Sequence, residues 1–221
     1  MEFPAGFLPT NLLILSHILF WPFFIEALIK ARWQHLKNFH DSNVLFGAVA
    51  ITAVFWSMDA SIRTGINFHL TLIPLLSLMF GRHFTLFACI LILGLLSLFN
   101  NASLQGIPIN VFLFAVIPGL VISALLVFAR RYLPHNFFIY IFINAFFGAA
   151  ISVFLSVMAT YGLFRFFDVY TDEVLMHDYM PFGLMMMFPE AFITGALISL
   201  FVVYKPQWVS SFNDELYLKG K

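Results

Sequence analysis

Charge is what this chain has least of. Of its 221 residues only 10% are Asp, Glu, Lys or Arg, against 62% hydrophobic, and the mean hydropathy is +0.94. A soluble domain carries about 25% charge and about 45–50% apolar residues, so no soluble domain of useful size fits here. Cysteine is nearly absent as well: Cys89 is the single one and lies inside an apolar run, which excludes a disulfide framework and a Cys-based zinc site. Basic and acidic residues balance at 11 each, so nothing suggests a nucleic-acid partner. There is no Walker sequence, no phosphate-cradling glycine loop and no Ser/His/Asp order worth arguing. Catalysis is not indicated, and any ATP hydrolysis belongs to another chain. The opening MEFPAGFLP has no Lys or Arg at all, unlike a secretory signal or a span whose N-terminus stays in the cytoplasm.

What is there is apolar sequence in long blocks. Seven apolar segments run over 10–29, 43–62, 69–80, 84–99, 109–129, 136–163 and 184–204. A transmembrane helix takes about 20 residues, so the pattern predicts an all-α integral membrane protein with about seven transmembrane helices in one bundle. The third and fourth segments are short enough for a kinked or re-entrant geometry. One polytopic domain covers 1–221, with a leader at 1–9, the bundle at 10–204 and a tail at 205–221. Lys30, Arg32, Lys37, Arg82, Arg130, Arg131, Lys205, Lys219 and Lys221 all fall on one side of such a bundle, and only Arg63 and Arg165 fall elsewhere. The positive-inside rule makes that side cytoplasmic, the N-terminus outside and the C-terminus inside. The outer segment 164–183 then carries Asp168, Asp172, Glu173 and Asp178, which reads first as a solvated acidic loop.

Ionisable groups at membrane depth are costly and mark functional candidates. Asp59 and Arg63, spaced i,i+4 in FWSMDASIRTG, are expected to face each other on one helix as a structural pair or a gate. Glu190 follows Pro189 in MMMFPEAFITG and needs a partner: a histidine, a backbone amide or a cation. His35, His40, His83 and His135 fall on the cytoplasmic side and His17 within the first span, which leaves His69 and His177 outside. His69 opens the third span in GINFHLTLIPLL, at the depth of an outward-facing ligand site, with Asn67 beside it. Met176, Met180, Met185, Met186 and Met187 cluster near His177, and thioethers suit soft metals. Three consecutive methionines on a helix point in three directions, however, and packing is the plainer role.

The leader with its GFLP (Gly6 to Pro9), the stretch GINFHLTLIPLLSLMFG, the stretch GIPINVFLFAVIPG and the terminal FPEAFITGALISLFVVYKPQWV, in this order, resemble the CbiM/NikM-type substrate-capture subunits of cobalt and nickel energy-coupling-factor transporters. The resemblance covers nearly the whole chain. It implies seven spans with the N-terminus outside, in a bacterial cytoplasmic (inner) membrane, and a transported Ni or Co ion rather than a prosthetic group. It implies two kinds of partner, a transmembrane coupling subunit and a pair of cytoplasmic ATPases. It also implies that the leader folds back into the outer mouth, where the α-amine of Met1, the next backbone nitrogen, the second side chain and a histidine at the start of the third span form a nitrogen-rich, roughly square-planar site of the kind that suits Ni(II). The matching positions are Met1, Glu2 and His69. Glu190, Asn67, Asp59 and Arg63 are the supporting or gating candidates, with Glu190 expected to accept the free ring N–H of His69, and His177 is a weaker candidate. Family members usually carry histidine where this chain has Glu2, and a histidine before the Glu motif where this chain has Phe188 and Pro189. Carboxylate in place of imidazole removes a nitrogen donor and favours harder ions. Two other readings stay open at this point: a non-transporting membrane scaffold or assembly protein that has lost the metal site, and a capture subunit for a small organic molecule.

Overall fold

The computed structural model describes residues 6–31, 33–34, 39–58, 60–100, 104–213 and 217. Helices dominate because the backbone of an apolar segment must satisfy its own polar groups where water is absent. They form rods that follow the predicted segments in order: α1 (Thr10–Lys30), α2 (Phe39–Ser57), α3 (Ile73–Phe80), α4 (Arg82–Asn100), α5 (Leu104–Tyr132), α6 (Phe137–Phe166) and α7 (Asp172–Tyr204). By length and composition α1, α5, α6 and α7 are long enough to cross a membrane, and the apolar stretches Ser42–Ser57 and Arg82–Leu98 are shorter.

α3 has only 8 residues, yet every one from Ile73 to Met79 is buried. A helix that is apolar all round belongs inside, and α3 packs against α4, α5, α6 and α7. It is the axle of the molecule, and its two ends define the two places where polar chemistry gathers. Ile73 and Leu76 pack in a core with Trp56, Cys89, Ile92, Val111 and Ala115, whereas Leu75, Leu78 and Met79 pack with Tyr140, Ile198, Val202 and Phe212. A further core of Leu8, Leu12, Ile66, Ile109, Leu113, Phe164, Leu175 and Tyr179 joins the leader, the hairpin and the long helices.

Four expectations are corrected here. The fold is mostly helical, but the second apolar segment is not helical to residue 62: α2 stops at Ser57, and β1 (Ala60–Arg63) pairs antiparallel with β2 (Ile66–Phe68). A two-residue turn links them, with Gly65 at φ +82°, a conformation that favours glycine. Arg63 therefore lies on a strand, so no i,i+4 helical pairing with Asp59 exists. Asp59 itself lies outside the described residues, and Arg63 pairs with Asp178 instead. The third helix begins at Ile73 and not at residue 69, because Leu72 adopts the left-handed conformation (φ 52°, ψ 11°) and ends the irregular stretch before it. The segment 164–183 is not a loop throughout: it is helical from Asp172, capped by the Thr171 hydroxyl, and Arg165 pairs with Asp168 at 3.4 Å and with Asp172.

Candidate metal-binding mouth

His69 sits in the irregular stretch 69–72, between the hairpin and the buried helix α3. Irregular backbone between elements leaves N–H and C=O groups without regular partners, and each must be satisfied individually. The Trp56 indole N–H, from α2, donates to the Thr71 carbonyl at 2.9 Å. The same indole lies over the His69 imidazole, with ring centroids 4.5 Å apart and planes tilted by 37°. From the other side Glu190, 1% exposed near the start of the apolar part of α7, accepts from the Thr71 backbone N–H and from the Thr71 hydroxyl, both at 2.8 Å, and the Leu72 N–H is also directed at it. Two helices far apart in sequence thus grip one residue, Thr71, and hold the histidine two positions before it.

The expected bond from the His69 ring to Glu190 is not made. His69 Nδ1 instead lies 3.5 Å from the Leu70 carbonyl, a long contact, and Glu190 is committed to Thr71. The physical reason is the Leu72 turn: it points successive amides toward the carboxylate, and backbone N–H groups converging in this way make an anion-binding concavity. A buried carboxylate at this depth needs such donors. Glu190 therefore positions the backbone that carries His69 and does not touch its ring.

The other sequence candidates divide. Met1 and Glu2 lie outside the described residues, as does Asp59. Asn67 is on β2, where its side-chain oxygen accepts from Ser61 Oγ at 3.2 Å across the hairpin. Arg63 is drawn to α7 by Asp178. His177 is exposed, directly before Arg63's partner Asp178, while Leu175 and Tyr179 on the same turn are buried, and no described contact joins it to His69. Among the described residues no three His, Cys, Asp or Glu side chains converge.

The leader reaches this mouth. Leu8 is buried in the cluster that holds Ile66, Phe7 packs on Tyr170 with centroids 5.6 Å apart, and the Tyr170 hydroxyl donates to the Thr64 carbonyl at 2.6 Å. Gly6–Pro9, the hairpin and the α6–α7 connection are therefore sewn together immediately before His69. Trp56 and Thr71, which hold the histidine, were missed by sequence reasoning. A tryptophan just before a helix end and a threonine two residues past a histidine have no spacing that marks them, and only their shared partnership does.

The family described as "CbiM: Cobalt uptake substrate-specific transmembrane region" matches residues 2–208. No curated protein matches the chain in sequence. A solved structure of a truncated transition metal transporter superposes with a TM-score of 0.74 at 17% identity, covering 92% of this chain and 98% of that one. A second, of a transition metal transporter, gives 0.72 at 18% identity, covering 90% and 92%. The fold is thus shared over almost the whole length of each.

Proposed function

This chain belongs to the CbiM family of cobalt uptake substrate-specific transmembrane regions, and from that membership we propose that it is the membrane-embedded capture component of an uptake transporter for a divalent transition metal, cobalt or nickel. The observation that carries the reading is the clamped histidine: Trp56 and Glu190 immobilise the stretch 69–72 beside a leader packed into the same mouth. A metal ligand needs a neutral imidazole with its free nitrogen held in one direction, and an immobilised ring on a fixed backbone provides it.

In this reading His69, the Met1 amine, the next backbone nitrogen and the Glu2 carboxylate hold the ion. Three nitrogen donors and one carboxylate oxygen suit Ni(II) or Co(II), and the added negative charge raises attraction for a dication. The bundle spans a bacterial cytoplasmic membrane seven times, with the mouth outside and the C-terminus inside. The gathering of Lys30, Arg82 and Arg130 at the far end from His69 supports that orientation. Energy comes from a transmembrane coupling subunit and a pair of cytoplasmic ATPases, since this chain has no nucleotide-binding sequence of its own.

Metal content by plasma mass spectrometry of the detergent-purified protein tests this. Wild type incubated with Co or Ni is expected to retain about one equivalent, the occupancy of a single site. His69→Ala and a variant extended by one residue ahead of Met1 are expected to retain none. Absence of metal from wild type after incubation with Ni, Co, Cu and Zn would sink the reading, and the scaffold and organic-substrate alternatives would then replace it.

A further inference from the structure

The other end of α3 opens into a cavity of about 750 Å³, well away from His69. At 1.5 Å rise per residue, the 8-residue α3 separates the two by roughly 12 Å. Lys30, His83 and Arg130 line it from α1, α4 and α5, with the hydroxyls of Ser77, Ser123 and Ser211 among them. No Asp or Glu is among its described lining residues. Its nearest carboxylate, Glu26, is already held by Lys30 and Arg82, so a cavity that presents cations and hydroxyls in this way suits an anion better than a divalent metal.

Two of its side chains are unsatisfied. Ser77 is 2% exposed and its Oγ has no hydrogen-bond partner, although a helical serine ordinarily bonds a carbonyl one turn back. His83 Nε2 is likewise buried without a hydrogen bond, 4.0 Å from Glu26 Oε1. That carboxylate oxygen is already taken by Lys30 at 3.0 Å and Arg82 at 2.6 Å. Arg130 spends one of its N–H donors on the Ser211 carbonyl at 2.7 Å, which pins the tail to the cavity wall. Buried polar groups without partners are costly, and a ligand that supplies the missing bonds removes that cost. Phe80, Leu126 and Trp208 form the apolar part of the wall.

We propose that this cavity binds a phosphate-bearing anion, such as the headgroup of an acidic phospholipid, through Lys30, Arg130, His83 and Ser77. Basic pockets between membrane helices on the cytoplasmic side take such headgroups, and the position at the basic end of the bundle places the cavity at that level. The same donors fit free phosphate, and the experiment separates the two sources. The site is independent of metal capture at His69.

The full-length protein in detergent is titrated with phosphatidylglycerol or with phosphatidylcholine of the same acyl chains and read by native mass spectrometry. A parallel thermal-shift series uses inorganic phosphate. Wild type is expected to prefer phosphatidylglycerol, and Lys30→Gln and Arg130→Gln each to weaken that binding about fivefold, the effect of one cation near a membrane surface. Ser77→Ala, which removes no charge and leaves no bond broken, is expected to weaken it too, and His69→Ala to leave it unchanged. Stabilisation by inorganic phosphate, lost in the same variants, identifies free phosphate as an occupant; stabilisation by lipid alone identifies the headgroup, and both support the site. Equal binding of the two lipids without any phosphate effect, or undiminished binding in Lys30→Gln and Ser77→Ala, overturns it. Arg130→Gln also loosens the tail, so Lys30→Gln, whose described partner is Glu26 one turn back on the same helix, is the cleaner reading.

Discussion

Glu190 shows how much one side chain can organise. It is almost wholly buried, yet three donors from Thr71 and Leu72 converge on it, so its cost at membrane depth is offset by the stretch it fixes. Leu72, a non-glycine residue with φ 52°, is held in a conformation that costs about 1–2 kcal/mol, and these bonds are what hold it there. Removing the carboxylate should therefore disturb His69 without touching it. Glu190→Ala is expected to lower metal affinity by about 10- to 100-fold, the usual effect of losing a partner that orients a metal ligand. Glu190→Gln, which can still accept from one Thr71 donor, is expected to lose clearly less. Isothermal titration with Ni and Co checks both, and equal affinity in Glu190→Ala and wild type would remove the positioning role. Trp56→Phe keeps the ring over the imidazole but deletes the 2.9 Å bond to Thr71, so its loss should fall between the two.

At the scale of elements, three of the long helices carry a π turn: Phe112–Val116 in α5, Tyr140–Phe147 in α6 and Leu175–Tyr179 in α7. Each widens the helix locally and shifts the register of the side chains beyond it. In α6 the turn ends at Gly148, where α5 passes so close that an added Cβ would stand 2.8 Å from Ile122 Cδ1 and 3.5 Å from Leu125 Cδ1. The nearest atom is the tip of a flexible side chain, so alanine is tolerable, whereas a branched or longer side chain must push the helices apart. Gly148→Leu is expected to destabilise by about 1–3 kcal/mol through overpacking, seen as a lower unfolding temperature in detergent, with Gly148→Ala close to wild type. The hairpin works in the opposite sense. It interrupts what reads as continuous apolar sequence, and Tyr170 and Asp178 tie it to the connection between α6 and α7 and to α7 itself. That fastening places His69 on the stretch between the hairpin and α3 rather than along a helix side.

For the whole molecule the decisive asymmetry is charge. Lys30, Arg82, His83 and Arg130 come from three helices and gather around one cavity or its rim, while Asp168, Asp172 and Asp178 gather at the opposite end with Arg63 and Arg165 as their partners. If the basic end is cytoplasmic, a cysteine placed at Thr171 should react with a membrane-impermeant maleimide in intact cells, and one at Gln207 only after permeabilisation. The native Cys89 is buried and should give little background. Labelling of Gln207→Cys in intact cells would reverse the orientation.

Helix order, the apolar blocks and the segregation of positive charge were legible in the sequence, because each depends on composition along the chain and on what a bilayer tolerates. His69 and Glu190 were picked out as candidates for the same reason: ionisable groups in apolar surroundings stand out. What they touch was not. The sequence pointed to a bond between them, and to a helical pair of Asp59 and Arg63. The left-handed turn at Leu72 sent Glu190 to Thr71, and the hairpin carried Arg63 to Asp178. Local spacing describes neighbours on one element, whereas a partner 119 residues away is chosen by how helices stack. Trp56, Thr71 and the cavity beneath α3 belong to that second kind, since a clamp and a cavity exist only where separate elements face each other.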